Sequence, residues 1–72
     1  MTPNQVKAIR GSMEEADFAL LLGVSPSTIW RWERGQIPPR GASVTLLELI
    51  RDYRRETIRL LWKRVKPRLS KG

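Results

Sequence analysis

The chain has no cysteine and no histidine among its 72 residues. The first absence excludes disulfides. The two together exclude the usual zinc sites and Cys- or His-based nucleophilic catalysis, leaving carboxylates and hydroxyls as the only conventional chemistry. No enzyme, metal or cofactor is expected. Long apolar runs are also missing: Phe18-Ala19-Leu20-Leu21-Leu22 is the longest, far short of the roughly 20 residues of a membrane span, and the first residues hold no apolar signal-peptide core. The expected compartment is the cytoplasm, with no membrane partner. A domain this small buries only about 60% of its unfolded surface, near the lower limit for folding alone without disulfides, metal or a partner.

What the chain has instead is positive charge. Lys and Arg number 14 against 7 Asp and Glu, a formal charge of +7 and a pI near 11.2. Such an excess is the footprint of a polyanion binder, although it fixes neither DNA over RNA nor specificity. In residues 1 to 35, Lys7, Arg10, Arg31 and Arg34 are cancelled by Glu14, Glu15, Asp17 and Glu33. In residues 36 to 72, ten basic residues face only Glu48, Asp52 and Glu56. If the first half reads a sequence, the second can supply attraction to polyphosphate; a solvated helix face accounts for the same charge.

Local signals divide the chain into helices. Thr2-Pro3 caps and opens a first helix to about Arg10, with Val6, Ile9 and Ala8 as its narrow apolar side and Gly11-Ser12 as its end. A second helix starts near Ser12 or Met13, where Glu14, Glu15 and Asp17 favour the positive end of the helix dipole, and closes at Gly23 with Phe18, Ala19, Leu21 and Leu22 on its buried face. Ser25-Pro26 repeats the cap-plus-proline signature and opens a third helix to about Arg34, stopped by Gly35. The prolines of Gln36-Ile37-Pro38-Pro39-Arg40-Gly41 force a loop. From about Ala42 to Pro67 the pattern predicts one long helix, about 37 Å at 1.5 Å per residue, which outruns the body the first 40 residues can build. Its distal apolar groups Ile58, Leu61, Trp62 and Val65 then need another surface, and a homodimer partner is the expected one. The organisation is one all-α domain over residues 1 to 66, with helix-turn-helix 13 to 35, dimerising helix about 42 to 66, and a basic flexible tail 67 to 72.

On the third helix, Ile29 and Trp32 share one side and make a core with Phe18, Leu22 and Val24, while Pro26, Ser27, Trp30, Arg31 and Arg34 occupy the other. A helix presented this way fits the major groove of B-DNA, where Arg donates two hydrogen bonds to guanine and Ser or Thr serves several bases. Arg31 is the first candidate for base readout, joined by Ser27, Thr28, Trp30 and Pro26; local backbone bonding in the first turn is the other role open to Ser27 and Thr28. Trp30 either packs on thymine methyls and sugar or covers a neighbouring side chain. Ser25 and Ser27, at a helix N-terminus, and the basic Arg34 and Lys7 are candidates for phosphate contact. The cluster Lys63, Arg64, Lys66, Arg68 and Lys71 is a DNA-tracking arm, an RNA-attracting tail or solubilising surface.

The stretch from Phe18 to Gly35 carries the pattern A-x-x-L-G-V-S-x-x-x-I-x-x-W-E-x-G and resembles the helix-turn-helix of the Xre, or lambda-repressor-like, family. Ile37-Pro38-Pro39-Arg40-Gly41 and Leu46-Leu47-Glu48-Leu49-Ile50 are similar to the continuation in DNA-binding antitoxins and small phage repressors, so the resemblance spans roughly residues 2 to 50. It implies a compact lambda-repressor-like bundle, backbone contacts from Gln36 and Arg40, and a Glu33 pair with Arg10. Two departures stand out: the link between the first two helices is about two residues shorter than usual, and Glu15 replaces a Gln that touches DNA in the family. A carboxylate there is repelled by phosphate, and the role is not transferred.

The expected function is sequence-specific transcriptional regulation, with repression by promoter occlusion. A homodimer would bind double-stranded DNA at an inverted-repeat operator with half-sites about 34 Å apart. A phage or mobile-element operon, such as an anti-CRISPR-associated one, is a version of that reading. The alternatives are an antitoxin that also neutralises a toxin protein, and a nonspecific nucleic-acid-binding module driven by the basic half.

Overall fold

A computed structural model describes residues 1–70, with side chains described as far as Lys66. Five helices follow one another: α1 (Pro3–Arg10), α2 (Glu15–Leu22), α3 (Pro26–Arg34), α4 (Ala42–Asp52) and α5 (Arg54–Ser70). Among the described residues there is no strand, and no helix is long and apolar enough to cross a membrane. The fold is an all-α helix-turn-helix bundle.

Capping sets the first three helices. The Thr2 hydroxyl accepts from the Gln5 amide at 3.2 Å while the Gln5 side chain accepts from the Thr2 amide at 2.8 Å, a reciprocal capping box. At α3 the Ser25 hydroxyl accepts from the Thr28 amide at 3.2 Å, and Pro26 supplies the first helical φ. Gly23 and Gly35 end α2 and α3 at φ +73° and +76°, a left-handed backbone where a Cβ would be strained. The start of α2 is later than expected. Arg10 holds the Met13 carbonyl at 2.8 Å and the Met13 amide donates to the Arg10 carbonyl, so residues 11 to 14 form a pinned link and the helix begins at Glu15.

The core comprises Val6 and Ile9 of α1, Phe18, Ala19 and Leu22 of α2, Ile29 and Trp32 of α3, and Leu47 and Ile50 of α4. Val24 packs against it from the turn, as expected, whereas Ala8 is exposed.

The expected single helix from 42 to 66 is two helices. Tyr53 leaves helical geometry at φ −132°, ψ 54°. Its amide still closes α4 on the Leu49 carbonyl, its carbonyl accepts the Thr57 amide of α5, and the Thr57 hydroxyl bridges back to Leu49. No glycine or proline marks the break. Its cause is burial: turning at Tyr53 lays α5 along α2, where Val65 is only 3% exposed and Ile58 and Leu61 pack on the core. Of the groups assigned to a dimer partner, Val65 is thereby buried within the chain, while Ile58, Leu61 and Trp62 are half-buried, Ile58 and Leu61 against the core. Pro67 does not end α5, which continues to Ser70; proline's own φ is helical, and it costs one backbone hydrogen bond there. The expected tail is therefore helical from 67 to 70, and residues 71 and 72 lie outside the described residues.

Two arginines fasten α5. Arg54 donates to the carbonyls of Ile9 and Arg10 at the C-terminus of α1, and Arg64 donates to the Leu21 carbonyl near the end of α2 at 3.4 Å. Both sit where a helix end carries negative charge and unsatisfied carbonyls.

Candidate nucleic-acid interface

The two sides of α3 have opposite chemistry. Inward, Ile29 is fully buried, Trp32 is 4% exposed and the Glu33 carboxylate takes two hydrogen bonds from Arg10, at 2.7 and 2.9 Å. This is the α1–α3 pair that the resemblance implies. The bond to Glu33 raises the Arg10 pKa, with burial acting in the opposite direction. Such a bidentate clamp fixes the rotation of α3 about its axis and so decides which residues point out.

Those residues are Pro26, Ser27, Trp30, Arg31 and Arg34, all exposed. Pro26, Ser27, Trp30 and Arg31 line one recess together with Gln36 and Glu15. Gln36 is held beside them because its amide closes on the Arg31 carbonyl at 3.0 Å. Trp30 stacks over its own neighbour, with the Arg34 guanidinium 5.1 Å from the ring centroid, a cation–π contact. Trp30 itself stays 41% exposed, and the stack orients an exposed cation at the end of α3.

The remaining candidates separate by position. Thr28 is half-buried and its hydroxyl lies 3.0 Å from that of Ser25, the residue that caps α3. Arg40 is exposed in the loop after Pro39, and Lys7 is exposed on α1; neither lines the α3 recess. Two further residues come to this surface through tertiary geometry. Glu15 joins the recess because the pinned 11–14 link sets the start of α2 beside α3. Arg64 lines a second recess with Ala16, Leu20 and Pro26, which puts a cation of α5 near the N-terminus of α3. Residues this far apart meet only through the bend at Tyr53. Among the described residues no three carboxylates gather to hold a metal ion.

The chain resembles a bacterial antitoxin. It is 38% identical over 55 residues to Antitoxin HigA-2 of Vibrio cholerae serotype O1 (strain ATCC 39315 / El Tor Inaba N16961), a match covering 74% of this chain and 53% of that protein. The chain thus spans about half the length of the curated relative it matches. No protein-family model matches the chain.

Proposed function

We propose that the chain is a sequence-specific DNA-binding regulator of the Xre, or lambda-repressor-like, type, acting as a repressor by binding and not by catalysis. The observation that carries this reading is the recess of Pro26, Ser27, Trp30, Arg31 and Gln36, with Glu15 at its α2 side, on a helix whose opposite side is clamped by the Arg10–Glu33 pair. A rigid helix with an exposed arginine enters the major groove. Arg31 donates to guanine O6 and N7, Ser27 serves an adjacent base, and Gln36, Arg34 and Arg40 hold phosphates on either side. Occupancy of the operator blocks the promoter.

The regulator works as a homodimer on an inverted repeat. Its contact uses Leu49, Tyr53 and Leu60, which are 41%, 61% and 59% exposed beside the α4–α5 bend, in place of the groups that α5 buries within the chain. Sedimentation of wild type and Leu60→Glu checks this: a dimer dissociated by the substitution is expected, and a wild-type monomer at micromolar concentration removes the dimer from the reading.

Selection of bound duplexes from a random pool at physiological salt, with wild type and Arg31→Ala in parallel, tests the function. An enriched inverted repeat that the variant loses is the expected result. Equal, strongly salt-dependent binding by both without enrichment points to the nonspecific module. A second reading, an antitoxin that also neutralises a toxin protein, draws on the likeness to Antitoxin HigA-2. It requires a neighbouring toxin gene, whereas control of a phage or mobile-element operon does not.

A further inference from the structure

Between Arg54 and Lys66, α5 carries six basic residues against one acid, Glu56. Arg54 and Arg64 are accounted for as caps on α1 and α2. Arg59 and Lys63 are different: together with Trp62 and Lys66 they line a shallow recess of about 550 Å³. Arg59 and Lys63 lie outside the ion pairs Arg10–Glu33 and Arg51–Asp52. Arg55, Arg59 and Lys63 follow one another at four-residue spacing, an arrangement of like charges that destabilises a helix. Folding does not explain this ridge, because the apolar contacts of α5 come from Ile58, Leu61 and Val65.

Its direction separates it from the surface of α3. Arg64 and Val65 line the recess shared with α2 and Pro26, on the side of α5 nearest the N-terminus of α3. At about 100° per residue, Arg59, Trp62 and Lys66 point roughly 140° to 160° away from Arg64. The ridge thus faces away from the side of α5 that borders α3. Trp62 is half-buried, so it offers an apolar floor between cations and not an open ring on which bases stack. A positive rim around an apolar floor complements a helix with carboxylates flanking one apolar side chain.

We propose that this ridge docks an acidic amphipathic segment of a partner protein, with carboxylates against Arg59 and Lys63 and an aliphatic or aromatic side chain on Trp62. The docking site is independent of the DNA reading, since α3 contributes nothing to it.

The test is fluorescence anisotropy on the full chain with a labelled peptide of about 15 residues that carries Glu at four-residue spacing around a central Leu. A Glu→Gln version of the peptide, oligothymidine and a random-sequence duplex are measured in parallel. Salt-sensitive binding of the acidic peptide is expected, with the Gln version much weaker. Arg59→Gln/Lys63→Gln should lose about tenfold or more in peptide affinity while holding duplex affinity. Both residues are exposed, so circular dichroism should show an unchanged fold, and Trp62→Ala supplies a second variant that keeps every charge. The proposal is overturned by no peptide binding, by peptide affinity that neither variant lowers, by tighter binding of oligothymidine through the same residues, or by an equal loss of duplex affinity.

Discussion

The first three helices and the last two share one apolar core but differ in the polar bonds that fasten them. In α1 to α3, specific polar bonds add to the apolar core: a capping box starts α1, a hydroxyl cap starts α3, and the Arg10–Glu33 clamp ties α1 to α3. In α4 and α5, apolar burial turns the chain at Tyr53, and the polar groups that help are arginines lent to the ends of α1 and α2. Ionic locks give direction, which a surface that reads shape and hydrogen bonds requires. Apolar packing tolerates many charges outside, which suits a surface that attracts. The neutral and basic halves of the sequence correspond to this division.

The largest effect should come from breaking the clamp. Glu33→Ala leaves the Arg10 guanidinium, whose side chain is 22% exposed, without its carboxylate, and loss of one member of a buried pair costs about 3 kcal/mol or more. Urea denaturation should show that loss, and DNA affinity should fall with it because α3 is no longer held in register. Val65→Ala sharpens the contrast. Removing buried methyl groups should cost about 2 kcal/mol of monomer stability without changing the oligomeric state. A dimer that falls apart with little change in monomer stability would instead restore Val65 to an interface between copies. Arg31→Ala is expected to leave thermal unfolding unchanged and to remove about 1 to 3 kcal/mol of discrimination at one base position, read by competition with single-base variants of the selected site.

The same division governs what could be read from the sequence. Thr2, Ser25, Pro26, Gly23 and Gly35 act through neighbours a few residues away, so their types and spacing gave α1 and α3 at their observed bounds. The outward set on α3 was legible because a helix of known phase has one apolar and one polar side. The Arg10–Glu33 pair spans 23 residues and was accessible only through family resemblance. The break at Tyr53 was hidden, because residues 42 to 66 satisfy helical propensity throughout and the energy that bends them is contact of Ile58, Leu61 and Val65 with residues more than 30 positions earlier. Glu15 stood out only through the family resemblance and Arg64 only as one of a basic cluster, because each reaches the neighbourhood of α3 through tertiary geometry.

The smallest effect tests whether capping and reading can be separated at a single atom. Ser25 caps α3 through its hydroxyl, and the same position borders the face proposed to meet DNA. Ser25→Ala removes the cap and should cost about 1 kcal/mol in denaturation, with only a modest change in DNA affinity once the protein is folded. Ser25→Asp restores an acceptor for the Thr28 amide and places negative charge at the favourable end of the helix dipole, so stability should return. That charge faces phosphate, however, and duplex affinity should fall well below that of Ser25→Ala, the more so at low salt. If Asp restores both stability and binding, the N-terminus of α3 lies away from the backbone, and the orientation proposed for the reading helix is wrong.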